Sequence, residues 1–305
     1  MTVHLRGARF RRFGVLVTTG LIAASLAACS SNNGGGSGSS TEEVKLGYFP
    51  NLTHASAIVG IQKGYFKDAL KKDGAELKTL DFNSGSDTIA ALENGDLDAT
   101  YIGPSPAITA YADSHNVSVI SGATSGGASL VVNKSITSPE DLKGKTLATP
   151  GPGNTQDVAL KYWLKKPGYD VGPDGQGDVT VINQDNSLTV QAFDQGQIDG
   201  GWLPEPYATL LEDKGATTLV DEADLWPQGK FVTTHLLVNN DFLKDHADLV
   251  DDILQGQIKA NDYIAANSDD AKTLTGDYIG KLTGSEIGAD ALDKAWSRLT
   301  FSNLV

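Results

Sequence analysis

The sequence predicts an α/β protein with mostly parallel sheets, folded as two related lobes, and three observations carry that expectation. Strand and helix patterns alternate from Val44 onward, the order expected of sheets built from strand, helix, strand units. One phrase occurs twice: ALENGDLDATYIGPSP from Ala91 to Pro106 and AFDQGQIDGGWLPEP from Ala192 to Pro206. With Gly103 counted as a single insertion, Ala91/Ala192, Gly95/Gly196, Asp98/Asp199, Pro104/Pro204 and Pro106/Pro206 coincide. The chain has 305 residues, 40% hydrophobic and 20% charged, enough for one large domain or two modest ones with real cores.

Taken in order, VKLGYF (Val44 to Phe49) reads as a strand and ASAIVGIQKGYF (Ala55 to Phe66) as a helix ending near Gly64. AELKTLDF is the next strand. SDTIAALENG is the next helix, with Ser86 or Asp87 as N-cap and Gly95 as C-cap. DLDATYIG is a short strand that runs into Pro-Ser-Pro, and SLVVN (Ser129 to Asn133) precedes a second cycle. That cycle reads KTLATP strand, NTQDVALKYWLKK helix, DVTVIN strand, SLTVQAFDQG helix and QIDGGWL strand, ending in Pro-Glu-Pro. FVTTHLLVNNDF leads back to the first lobe, and amphipathic helices over 247–267, 269–280 and 285–299 are expected to pack on it. The chain thus crosses between lobes near Leu130 and near Thr234, a two-strand hinge. Residues 44–130 and 235–305 form the first lobe and 131–234 the second.

The N-terminus has a different character. Arg6, Arg9, Arg11 and Arg12 precede an apolar stretch from Phe13 to Ala24, the pattern of an export signal too short for a transmembrane helix. LAAC closes it at Cys29 and resembles the bacterial lipobox, so Cys29 is the expected lipidation site. The Arg11-Arg12 pair also suits a twin-arginine route. Cys29 is the only cysteine, so no disulfide forms within the chain. Residues 29–43, rich in Gly and Ser, read as a flexible tether. Removing residues 1–28 takes away four arginines and no acid, which moves the formal charge from −14 to −18. So acidic a body is a poor partner for nucleic acid or anionic lipid, and the lipid anchor is the only expected membrane link.

Ligands of open α/β sheets bind beyond the carboxyl ends of the strands, where loops turn into helices. The strongest candidate is GPGNTQD, from Gly151 to Asp157. Its glycines, Gly153 among them, permit close backbone approach, and the helix start carries Asn154, Thr155 and Gln156 as donors. Asn51, Thr53 and His54 stand at the equivalent helix start of the first lobe, although a lone histidine there is also compatible with a surface role. Gly103, Pro104 and Ser105 form a stiff loop whose prolines fix the direction of the serine. Ser125, Gly126 and Gly127 lie in SGATSGGAS, Ser121 to Ser129, whose N–H groups are expected to line the cleft. Trp202 and Glu205 edge the second lobe: Trp202 equally suits the core, and Glu205 suits a backbone or hydroxyl partner or a ligand ammonium.

After the signal the only arginine is Arg298, so a bidentate guanidinium at the cleft is not expected. Neutral donors and helix dipoles then point to a compact oxyanion such as a sulfonate, a sulfate-like group or nitrate. His54, His115, His235 and His246 show no metal spacing, no Gly-x-Ser-x-Gly elbow occurs, and no catalytic residue, metal or cofactor is expected.

NLTHASAIVGIQKGYF, GDLDATYIGPSPAI, SGGASLVV, DLKGKTLATPGPGNTQDVALKYWL, GQIDGGWLPEPYATLL and LWPQGKFVTT together resemble the solute-binding lipoproteins of ABC importers, in the aliphatic sulfonate, taurine and nitrate branch. The resemblance spans Val44 to about Phe301. It implies a type II periplasmic-binding-protein fold with the ligand between lobes, an expected monomer on the outer face of the cytoplasmic membrane, delivery to a permease driven by an ATPase, and no chemistry on the solute. The family's pocket loops fall on Asn51 to His54, Gly103 to Ser105, Ser125 to Gly127, Gly153 to Gln156 and Trp202 to Glu205. Relatives also include binders of thiamine-precursor pyrimidines, which would use aromatic stacking and Glu205; a secreted hydrolase is the reading from another class. Where further residues are expected in such proteins, this sequence stops at FSNLV.

Overall fold

The computed structural model describes residues 42–304. The expected export signal, Cys29 and the expected tether up to Thr41 lie outside the described residues. The first strand, β1 (Glu42–Tyr48), takes in Glu42 and Glu43, which the sequence had suggested belonged to the tether.

The first half then runs α1 (Ala55–Gln62), α2 (Tyr65–Leu70), β2 (Ala75–Asp81), α3 (Gly85–Glu93), β3 (Ala99–Ile102), α4 (Pro104–Ser114) and β4 (Val117–Gly126). The second half runs β5 (Ala128–Asn133), β6 (Thr146–Thr149), α5 (Thr155–Leu164), β7 (Thr180–Asn183), α6 (Asn186–Asp194), β8 (Gly200–Pro204), α7 (Tyr207–Asp213) and β9 (Ala216–Asp221). The chain returns through β10 (Val232–Asn239), α8 (Asn240–Asp245), α9 (Ala247–Ala266), α10 (Ser268–Thr283), α11 (Ala289–Ser297) and β11 (Leu299–Phe301). Gly64 ends α1 in the left-handed region as expected, but a new helix starts at once. Ser84, rather than Ser86 or Asp87, is the N-cap of α3.

Two sheets result, one of six strands in the order β11-β4-β10-β3-β1-β2 and one of five in the order β7-β6-β8-β5-β9. The central trios β2-β1-β3 and β7-β6-β8 are parallel and share one topology, the structural counterpart of the repeated phrase. Each trio is flanked by an antiparallel strand delivered from the other half, β10 beside β3 and β5 beside β8. The sheets are therefore mixed rather than mostly parallel, because a strand that crosses from the opposite lobe enters from the opposite end.

The crossovers also differ from expectation. Leu130 lies mid-strand in β5, paired with Trp202 and Val220, so the first crossing falls at Gly126–Gly127. Thr234 lies in β10, paired with Thr124, so the second crossing occupies residues 222–231, which include two 3-10 turns.

Both faces of each sheet are covered. Consecutive residues of a strand point to opposite faces, and here both are buried: Leu236 and Leu237, Leu130 and Val131, Trp202 and Leu203. One face of the first sheet packs Leu46, Tyr48, Tyr101 and Leu236 against α1, α2, α9 and α10 through Ile58, Phe66, Ile253 and Ile279. The other packs Ile102 and Leu237 beneath α3 and α4 through Leu92 and Ala107. Fully burying each such large side chain contributes about 1.5–3 kcal/mol. The last helix, α11, packs on α10 as expected and also on α7 of the second lobe, because Arg298 at its end reaches two acids there.

Candidate functional site

Three strand-to-helix turns meet between the lobes. β1 passes through a 3-10 turn, Leu52–His54, into α1. β3 passes through Gly103 into α4, with Pro104 in the first turn, where a missing N–H is harmless. In the second lobe β6 runs through Gly151, Pro152 and Gly153 to Asn154, the extended N-cap of α5. First-turn N–H groups have no intrahelical acceptor and lie at the positive end of a helix dipole; at α4 they are already used, because Pro104 and Pro106 carry no N–H, Ser105 N donates to Thr155 Oγ1 and Ala107 N to Gly103 O.

The cavity between them is lined by Asn51, Thr53, His54 and Gly103 from the first lobe and by Asn154, Thr155 and Gln156 from the second. Phe49, Pro106, Pro150, Pro204 and Thr233 complete its wall. It leaves about 20 Å³ for the centre of a water-sized molecule, room for about one water. The lobes are closed. Gly85 N donates to Asn154 Oδ1 at 2.9 Å, Ser105 N to Thr155 Oγ1 at 3.3 Å, Leu52 N to Glu205 O at 3.0 Å, and Tyr207 OH to Pro50 O at 2.9 Å, all from one lobe to the other.

No lysine, arginine, aspartate or glutamate is among the residues lining this cavity. His54 stacks on Phe49 with ring centroids 4.8 Å apart, and its Nδ1 accepts from Phe49 N at 3.2 Å. Burial, helped by nearby His235, lowers its pKa to about 3. Burial likewise lowers His235, on β10, to about 4, and its Nε2 has no partner among the described residues. Both rings are neutral near pH 7.

Other sequence-predicted residues sit elsewhere. The Glu205 carboxylate is fully buried and accepts from Arg298 Nη1 at 2.6 Å, Thr209 N at 3.1 Å and Thr209 Oγ1 at 3.0 Å. Burial raises its pKa and Arg298 opposes the shift. Its side chain thus braces α7 and the last helix, while only its carbonyl, which accepts from Leu52 N, reaches toward the cleft. Trp202 is a core residue whose Nε1 donates to Glu222 Oε2 at 2.7 Å and whose ring lies edge-on to Trp163 at 6.3 Å. Ser125, Gly126 and Gly127 line a separate groove at the crossover with Lys230, Arg298 and Thr300. SGATSGG is mostly strand, with Gly122 N donating to Asn303 O and Gly126 N to Phe231 O, so these amides are occupied by neighbouring backbone.

Pro104, Ser105 and Gly153 stand just behind the cavity wall. Ser105 contributes its N–H to Thr155, and Gly153 takes a left-handed φ of 72° with its N–H donating to Asp157 Oδ2 at 3.0 Å. Sequence reasoning missed Phe49 and Thr233. Phe49 directly follows β1, and Thr233 lies in LWPQGKFVTT, one of the stretches that carried the resemblance.

A model of the NMT1-like family matches residues 37–276. The taurine-binding periplasmic protein of Escherichia coli K12 is 31% identical over 204 residues, covering 65% of this chain and 61% of that protein's length. The putative aliphatic sulfonates-binding protein of Bacillus subtilis 168 is 29% identical over 243 residues, covering 77% of this chain and 69% of that protein. Among solved structures, the alkanesulfonate-binding protein SsuA from Xanthomonas axonopodis pv. citri, bound to MOPS, superposes with a TM-score of 0.68 at 16% identity over 86% of this chain and 85% of that one. That likeness establishes a shared periplasmic-binding-protein fold. With its two lobes, its closed cleft and a family match over most of its length, the chain belongs to the NMT1-like family.

Proposed function

We propose that this chain is the extracytoplasmic solute-binding component of an ABC importer, capturing an aliphatic sulfonate such as taurine or an alkanesulfonate. The observation that carries the reading is the convergence of three helix starts on one cavity with no charged side chain. Such a site favours an anion small enough to sit against N–H groups, and offers neutral side-chain donors to hold it. Asn51, Thr53, His54, Gly103, Asn154, Thr155 and Gln156 are the proposed contacts. Names of relatives as taurine- and aliphatic-sulfonate-binding proteins support this choice of solute.

The function is capture and release, without chemistry on the solute. So little room remains between the closed lobes that a solute enters only when they part, and its binding energy draws them together again. The closed form then meets a permease, and through it an ATPase. Residues 1–28 serve as export signal, Cys29 as lipid anchor and the following residues as tether to a monomeric body.

Nitrate is the second reading, favoured by the small size of the cavity. A pyrimidine loses support, because Trp202 is core and Glu205 already holds Arg298. The test is a thermal-shift screen with taurine, alkanesulfonates, nitrate and thiamine-precursor pyrimidines. A bound solute raises the melting temperature by mass action. A sulfonate is expected to give the largest rise; a rise with pyrimidines alone would overturn the reading.

A further inference from the structure

Four of the polar side chains that line the cavity have an acceptor atom occupied from behind, whereas the Thr233 hydroxyl donates to Gly126 O and keeps its oxygen to accept. A backbone N–H can only donate, so whatever atom faces it must accept. Phe49 N takes His54 Nδ1 at 3.2 Å, which leaves the imidazole proton on Nε2. Gly85 N takes Asn154 Oδ1 at 2.9 Å, so that amide has only its NH2 left to offer. Ser105 N takes Thr155 Oγ1 at 3.3 Å, which directs the hydroxyl proton away from that amide. Asn186 Nδ2 lies 3.5 Å from Asn51 Oδ1, a weaker contact of the same sense. Gly85 and Ser105 belong to the first lobe, whereas Asn154 and Thr155 open α5 in the second. In a parted cleft the Asn154 amide and Thr155 hydroxyl are free to turn; contact with the opposite lobe sets them.

We infer that closing the lobes fixes Asn154 and Thr155 as donors toward the solute, so that the pocket holds an oxyanion carrying no proton more tightly than one of the same shape and charge that keeps an O–H. The inference rests on the oxyanion reading above and adds how the site sorts among such anions. An alkanesulfonate is fully ionised and presents three acceptor oxygens. An alkylphosphonate monoanion presents two acceptors and one hydroxyl, whose proton would face another donor. A buried donor left unmet weakens binding by about 10- to 100-fold. Titration of the protein does not blur this comparison at mildly acid pH. His54 faces His235, and both are held neutral by burial. Asp157, behind the α5 start, is engaged by Thr149, Gly153 N and Lys161.

The experiment is calorimetric titration with ethanesulfonate and with ethylphosphonate at mildly acid pH, where the phosphonate is a monoanion. Wild type is expected to bind ethanesulfonate at least about tenfold more tightly. Asn154→Asp replaces the offered NH2 with an acceptor oxygen. It is expected to weaken ethanesulfonate strongly and the phosphonate less, so that their affinity ratio collapses. Equal affinities in wild type would overturn the inference while leaving the oxyanion reading intact, and so would an unchanged ratio in an Asn154→Asp protein that melts as wild type does. Binding of neither anion would remove the oxyanion reading itself, and the inference with it.

Discussion

Asp98 and Asp199 occupy the same corner of the two lobes. Asp98 Oδ2 accepts from Lys45 N at 2.7 Å, its own N–H donates to Lys45 O at 3.0 Å, and its carbonyl accepts from Asn239 N at 3.0 Å. Asp199 repeats this with Thr146 N at 2.9 Å, Thr146 O at 2.8 Å and Asn133 N at 2.7 Å. Each acid follows a helix-ending glycine in the left-handed region, Gly95 with φ 76° and Gly196 with φ 68°. Each ties the central strand to the strand arriving from the other lobe. Asp98→Ala and Asp199→Ala both leave a strand N–H unpaired, and each is expected to lower stability by about 1–3 kcal/mol in urea denaturation. Both lie at the strand ends away from the cleft, so solute affinity should change by less than about twofold.

Gly103 marks how closely the lobes approach. Its φ of −74° and ψ of 160° suit any residue. A methyl group there would nevertheless overlap Thr155 Oγ1 across the cleft and touch Thr233 O at 3.4 Å. Gly103→Ala is expected to fold normally but to resist closure, weakening solute binding by about tenfold or more. Small-angle scattering with saturating solute should find the variant more open than wild type. Equal compaction and affinity would show that this contact does not govern closure.

Arg298 holds Glu205 with a side chain only a quarter exposed, while the carboxylate is fully buried. Removing the cation strands a buried charge, which in buried pairs costs about 3–5 kcal/mol; partial exposure of Arg298 puts the expectation for Arg298→Met at the lower end. Adding Glu205→Gln to Arg298→Met should recover part of the loss. The readout is the denaturation midpoint of the single and double variants.

Helix starts and the twin-lobe repeat were legible in the sequence because caps, prolines and glycines act locally. Asn51 to His54 and Asn154 to Gln156 meet at one cavity for that reason. The backbone and hydroxyl partners expected for Glu205 are those of Thr209, whereas Arg298 could not be read as its third partner because it is distant in sequence and is brought near only when α11 packs on α7. SGATSGG looked like a loop because serine and glycine dominate it, yet pairing with β10 and β11 on either side makes it a strand. The crossover positions were displaced for a related reason. A strand continues wherever partners exist, and β5 finds β8 and β9 as soon as the chain has passed Gly127.

Two neutral buried histidines give the fold an acid-side weakness. Burial lowers His54 from 6.5 to about 3 and His235 from 6.5 to about 4. Below pH 6.5 the unfolded chain takes up protons that the folded chain refuses, so stability falls as pH drops from 6.5 toward 4 and is level above 6.5. Each histidine is expected to contribute roughly 1 kcal/mol per pH unit over that range. Urea midpoints measured at intervals through this window should show a shallower slope in the His54→Asn, His235→Asn variant than in wild type.

The most direct measurement is calorimetric titration of taurine or ethanesulfonate into wild type and Thr155→Ala. Wild type is expected to bind one solute per chain, and the variant to lose about 1–3 kcal/mol of binding free energy because a donor facing the oxyanion is gone. Unchanged affinity in Thr155→Ala, or no heat from any oxyanion with wild type, would contradict an anion site at the meeting of the three helix starts.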